Sequence, residues 1–265
     1  MTAHTSLPLH HTLEGPDDAP VLVLSSSLGT TLRMWDPQVP VLKDRFRLLR
    51  YDHRGHGGSP APPGPYAIEE LGEDVLRLLD RLAIERFSFC GLSLGGMVGM
   101  WLASEVSGRV ERLVLCCTSA KLGPPENWAS RAATVREDGM GAISEAVLER
   151  WFTRGFLAGN TETAAWAENM LLSTPAEGYA GCCEAIRDMD LRGRLAAIGA
   201  PTLVIAGADD EATTLDHAEF ISDSVAGSHL VVIEEAAHLA NVQQPEAVTR
   251  SVLDHLAPVY EPRVD

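Results

Sequence analysis

The chain has 265 residues, enough for one α/β domain with an insertion or for two small domains. Its 45% hydrophobic and 22% charged residues match soluble globular averages, and no apolar run approaches the roughly 18 residues of a membrane span. With 37 acidic against 21 basic residues, a net charge of −16, it lacks the basic surplus that neutralises nucleic-acid phosphates.

Residues 1–14 are polar and rich in histidine, without the basic start and apolar middle of an export signal, so a cytoplasmic protein is expected. The first short apolar run is 21–25, followed by Ser26-Ser27-Leu28-Gly29-Thr30. A second, 48–51, leads into Asp52-His53-Arg54-Gly55-His56-Gly57 and the proline-rich stretch 59–65, a rigid surface loop. Ile68, Leu71, Val75, Leu78, Leu79 and Leu82 then recur at helical spacing. Strand candidates 87–90 and 113–117 enclose a helix over 97–103. From about 123 to 189 no strand-like run occurs, and Ile143, Val147 and Trp151 fall at helix spacing. Alternation resumes at Pro201 with strand candidate 203–206, a helix carrying Leu215, Ala218, Ile221 and Val225, and a last strand candidate, 230–233.

Short apolar runs bounded by turn residues suit strands of a parallel sheet covered on both faces, and their alternation with helices predicts an α/β sheet flanked by helices. The helical stretch reads as a lid, residues 123–189, inserted between two parts of a core domain, residues 1–122 and 190–265.

The strongest local signal is Gly91-Leu92-Ser93-Leu94-Gly95, then Gly96, between a strand and a helix. Such a turn is sharp enough to require small flanking residues, and it lifts a serine hydroxyl above the sheet edge. Ser93 is the candidate nucleophile, and it needs a base to take its proton. Of the histidines beyond the turn, His238 directly follows the last strand, where a loop hangs over the elbow. His229 begins that strand and so sits at the opposite end of the sheet, while His217 and His255 fall in helical segments and are expected at the surface. The acid that orients the histidine should end the preceding strand, where Asp209 and Asp210 compete and periodicity does not separate them. Two backbone N–H groups should stabilise the oxyanion, one from Leu94 after the nucleophile and one from the 26–30 loop, where Leu28 is the better placed. The five cysteines, Cys90, Cys116, Cys117, Cys182 and Cys183, lack metal-site spacing and read as reduced structural thiols.

Together these segments resemble the 3-oxoadipate enol-lactonases, a family of the α/β-hydrolase fold. The resemblance runs through Ser27-Leu28-Gly29-Thr30, Met34-Trp35-Asp36-Pro37-Gln38, the 50–57 loop, the 90–99 elbow, Ala185-Ile186-Arg187-Asp188-Met189-Asp190-Leu191, the 205–210 loop and Ala237-His238-Leu239-Ala240-Asn241. It covers nearly the whole chain and implies a Ser93, Asp210, His238 triad, Asp210 being chosen over Asp209 by its place three residues after Gly207. It also implies an enzyme without metal or organic cofactor. Ser26 and Glu211 depart from the family, which often has asparagine and proline there. The implied reaction opens a small anionic enol-lactone to 3-oxoadipate in bacterial aromatic catabolism. A cationic partner for the substrate carboxylate is expected from Arg187 or Arg131, Arg187 being preferred because it lies in the more particular run. Rival readings are another small-ester, carbon–carbon bond or perhydrolase-type hydrolase, or a silent ligand-binding protein of the same fold. Neither nucleic acid nor membrane is expected as a partner.

Overall fold

An apolar run with no polar face is stable as a strand only when both its sides are covered. The computed structural model describes residues 7–257, and seven strands form among them. They are β1 (His11–Glu14), β2 (Val21–Ser25), β3 (Arg47–Tyr51), β4 (Phe87–Leu92), β5 (Val110–Cys116), β6 (Thr202–Gly207) and β7 (His229–Ile233). They make one sheet in the order β1-β3-β2-β4-β5-β6-β7. All neighbours run parallel except β1, which is antiparallel to β3. β4 lies mid-sheet, every residue of it buried, and its carboxyl end delivers Ser93.

The sheet is the expected one with an extra edge strand. β1 escapes periodicity because its four residues are all half-buried and only Leu13 is aliphatic. Residues 1–6 and 258–265, assigned to the core from sequence and including part of the segment lacking an export signal, lie outside the described residues.

The helices are α1 (Val39–Leu42), α2 (Ile68–Arg81), α3 (Leu94–Glu105), α4 (Pro125–Asp138), α5 (Ser144–Trp151), α6 (Arg154–Gly159), α7 (Thr161–Leu172), α8 (Ala176–Asp188), α9 (Leu215–Ser224), α10 (Ala240–Gln243) and α11 (Pro245–Leu256). α2 buries Ile68, Leu71, Val75, Leu78 and Leu79 along one stripe, the pattern of a helix laid on a layer beneath it. α3 is apolar all round and packs against both α2 and the sheet, so it has no solvent face to keep polar. On the other side α1 packs against α11.

Helices α4 to α8 all fall between β5 and β6, within residues 123–189. α8 is fastened to the core backbone to backbone. Gly178 meets Gly55 so closely that a Cβ on either would collide with the other's main chain, and Tyr66 N–H donates to the Gly181 carbonyl at 3.3 Å. Among the described residues no helix is long and apolar enough to cross a membrane.

Candidate active site

Ser93 joins β4 to α3 at φ +56°, ψ −116°, a backbone conformation that costs a residue with a Cβ. The turn is held by bonds on both sides. Ser93 N–H donates to the Cys116 carbonyl at 2.9 Å, and the Thr118 hydroxyl donates to the Ser93 carbonyl at 2.7 Å. The flanking glycines are required by contact: a Cβ on Gly91 would strike the Gly95 carbonyl, and one on Gly95 would strike the Ser25 carbonyl.

Asp210 and His238 leave the carboxyl ends of β6 and β7 and meet with Nδ1 of His238 2.9 Å from Oδ2 of Asp210. Thr213 donates its hydroxyl to the same oxygen at 2.7 Å, while Ala212 and Thr213 N–H groups donate to Oδ1 at 2.8 and 3.0 Å. Burial opposes the Asp210 charge, but His238 and these donors outweigh it and hold the carboxyl below the ordinary carboxylate range. A carboxylate at Nδ1 fixes the imidazole so that Nε2 is left for chemistry. Asp209 takes a different course: its N–H donates to the Ala236 carbonyl at 2.9 Å and its exposed side chain lines a second cavity.

The remaining histidines beyond the elbow are placed elsewhere. His229 is exposed at the start of β7. His217 and His255, expected at the surface, are half-buried, because each ring has a polar partner: Ser119 Oγ at 2.9 Å from His217 and the Pro201 carbonyl at 3.1 Å from His255. The five cysteines are unpaired and buried, and burial pushes the Cys183 thiol up to about 12. Among the described residues no group of three or more His, Cys, Asp or Glu could hold a metal ion.

Ser93, His238, Ser27 and Leu28 open onto one cavity of about 540 Å³ whose roof comes from α4, α5 and α8. Leu94 is the first residue of α3, where N–H groups have no partner within the helix. The next N–H, that of Gly95, donates to the Ser26 carbonyl at 3.1 Å and so ties the elbow to the 26–30 loop. The Ser26 hydroxyl is buried without a hydrogen-bond partner among the described residues.

The cavity roof carries two arginines, Arg131 and Arg150. Arg131 stacks on Trp128, its guanidinium carbon 4.8 Å from the ring centroid. Burial and the like charge of Arg131 hold the Arg150 guanidinium below its usual value, against the opposing pull of Tyr179 and Glu211. Arg187 is not brought to this cavity. It forks onto Asp188 with two bonds of 2.7 Å, and the reason is helical phase. Tyr179 and Ile186, two turns apart on α8, face the cavity, so Arg187 is turned about 100° away. Of the two arginines expected from the sequence, Arg131 lines the cavity and Arg187 does not. Arg150 escaped the sequence reading, although it shares a helix face with Val147 and Trp151, where a charge on an otherwise apolar stripe is the signal.

The chain matches the family model described as alpha/beta hydrolase fold over residues 20–245, so its fold and its sheet-end constellation define an α/β hydrolase. It is 42% identical to 3-oxoadipate enol-lactonase 2 of Acinetobacter baylyi, over 92% of this chain and 91% of that one. With 3-oxoadipate enol-lactonase 1 of the same organism the figures are 39%, 88% and 87%. The crystal structure of the enol-lactonase from Burkholderia xenovorans superposes with a TM-score of 0.93 at 45% identity, covering 95% of this chain and 97% of that one. The chain belongs to the 3-oxoadipate enol-lactonase family, and it is an ester-hydrolysing enzyme.

Proposed function

We propose that the enzyme opens 3-oxoadipate enol-lactone to 3-oxoadipate through an acyl-enzyme on Ser93. The observation that carries this reading is the buried His238–Asp210 pair facing the same cavity as a serine held in a disfavoured backbone conformation: Ser93, Asp210 and His238 are only 7%, 4% and 5% exposed. Ser93 Oγ attacks the lactone carbonyl while His238 Nε2 takes its proton. The Leu28 and Leu94 N–H groups receive the developing oxyanion. The ring C–O bond then breaks, and the departing enolate oxygen takes the proton back from His238, becoming an enol that tautomerises to the ketone. An enolate is a much weaker base than an alkoxide, so this step needs less help than ordinary ester cleavage. Water next attacks the acyl-enzyme as His238 takes a proton from it. Collapse of that adduct returns the proton to Ser93 and releases the new carboxylic acid, which loses its remaining proton to solvent.

Arg131 and Arg150 hold the acetate carboxylate of the substrate from the roof. A cation there also answers the charge problem of a chain at −16, because an anion has to be drawn in locally. Residues 123–189 act as the lid that shuts bulk water from the acyl-enzyme. The test is rapid acid quench of the enzyme with a slowly turned-over ester, followed by intact and peptide mass measurement. An added acyl mass on the peptide carrying Ser93 is expected; acylation elsewhere, or none during turnover, overturns the reading.

A further inference from the structure

The 26–30 loop must present the Leu28 N–H at a fixed angle, yet a loop of five small or flexible residues does not hold an angle by itself. Two peptide planes meet at the Leu28 Cα, and the structure pins both. The plane before Leu28 is set through its other end: the Ser27 carbonyl accepts from Thr30 N–H at 3.2 Å and from the Thr30 hydroxyl at 2.8 Å. In a trans peptide the C=O and N–H point opposite ways, so anchoring the Ser27 oxygen aims the Leu28 N–H away from it. The plane after Leu28 is set by His56, whose Nε2 accepts the Gly29 N–H at 2.9 Å.

His56 is fully buried, and its two ring contacts admit one protonation state. Nε2 faces a donor and must carry a lone pair. Nδ1 faces the Arg54 carbonyl at 3.1 Å, which only accepts, so Nδ1 carries the proton. A neutral imidazole with the proton on Nδ1 satisfies both; an imidazolium would lose the Gly29 bond. Above the loop, a Cβ on Gly29, at φ +77°, would press on Leu171 and Tyr179 of α7 and α8. The turn is thus caught between His56 below and the roof helices above.

We infer that His56 is a positioning residue for oxyanion stabilisation, acting through the Gly29 N–H to fix the direction of the Leu28 N–H. It touches neither substrate nor Ser93. This rests on the reading of Leu28 and Leu94 as the oxyanion donors. A residue with this role changes kcat more than KM, since the bonded oxygen bears full charge only in the transition state.

Glutamine and asparagine separate the two halves of the imidazole. A glutamine amide reaches the Nε2 position and can still accept from Gly29, whereas an asparagine amide reaches only the Nδ1 position and keeps the Arg54 contact. His56→Gln should therefore retain most of kcat. His56→Asn and His56→Leu should lose it by about 10- to 100-fold, short of the roughly 10²–10³-fold cost of deleting a donor outright, with KM changed less than about two-fold. The inhibition constant of a boronic acid, which forms a tetrahedral adduct on Ser93, should rise in parallel with the loss, while that of the product dicarboxylate stays constant. Equal losses in the glutamine and asparagine variants, or an unchanged boronate constant, would overturn the proposal. Should the variants fail to fold, ¹⁵N histidine spectra of the native enzyme decide. An unprotonated Nε2 at residue 56 at pH 7 is expected, and a proton on that nitrogen rules the clamp out. Ser93→Ala measured alongside separates the two layers, because turnover surviving that change sinks the acyl-enzyme reading and not the His56 contact.

Discussion

At Asp210 four contacts converge on one carboxylate, and their removal is not symmetrical. Asp210→Asn keeps the shape but offers an amide N–H or a weaker acceptor to His238 Nδ1, so the productive tautomer is lost. Turnover should fall by about 10⁴. Asp209→Asn alters an exposed side chain turned toward another cavity and should cost less than about three-fold. Steady-state rates of the two variants check this, and the reverse order would move the acid by one residue. The arginines give a second contrast. Arg131, half-buried, and Arg150, exposed at the cavity mouth, should each lower kcat/KM for the lactone when changed to Ala. The loss should be about ten-fold or more, short of the roughly 2–5 kcal/mol cost of truncating a fully buried charge pair, and far less for a neutral ester of similar size. Arg187→Ala should treat both substrates alike. Residue-scale legibility was uneven for a physical reason. Ser93 and His238 are marked by strand ends, which a sequence displays. The choice between Asp209 and Asp210 depends on loop torsions that have no period, and only the resemblance separated them. The arginines depend on helix phase: Arg150 lies on the helix that Ile143, Val147 and Trp151 mark out, while Arg187 lies one residue beyond the cavity-facing Ile186.

At the scale of elements, the six parallel strands are legible as uninterrupted apolar runs, which burial on both faces demands of the inner strands and which β7, a largely half-buried edge strand, carries as well. β1 is not, being a four-residue edge strand of half-buried, mostly polar residues. Helix periodicity also marked out 123–189, but nothing in it reveals how α8 is attached. That attachment is a contact of two glycines, Gly55 and Gly178, and a glycine has no side chain to betray its partner. Gly178→Ala inserts a methyl group where main chain already sits, and overpacking of this kind costs about 1–3 kcal/mol. The urea midpoint should drop accordingly, and kcat/KM should drop with it because α8 carries Tyr179 and Ile186 into the cavity. Gly108→Ala, where a Cβ would meet nothing within 4 Å and which does not line the cavity, is the control that should leave both unchanged. A Gly178→Ala protein as stable as the parent would mean that α8 docks elsewhere.

Across the whole molecule, buried neutral histidines make stability depend on acid. Burial, with the neighbouring His56 ring adding to it, pushes His53 down to about 3, and burial likewise lowers His56. An unfolded chain takes up protons at these residues below about pH 6.5, while the folded chain does so only at lower pH. Unfolding free energy should therefore fall as pH drops from about 6.5 toward 3, by about 1.4 kcal/mol per pH unit for each histidine kept neutral. Asp210 adds to the same trend further down: its lowered value gives stability above about pH 3.9 that is lost as the pH falls through its folded value. Urea titrations at pH 7, 6 and 5 check the sign, and a flat profile would mean that the folded chain takes up protons at these rings as readily as the unfolded one.

The most direct measurement is the rate at which freshly generated 3-oxoadipate enol-lactone disappears with the native enzyme and with Ser93→Ala, beside a neutral ester. The native enzyme is expected to open the lactone faster than the ester, and Ser93→Ala to lose on the order of 10⁶ in turnover on both. Near-native lactone opening by Ser93→Ala, or a native enzyme that hydrolyses the ester well and the lactone poorly, would contradict it.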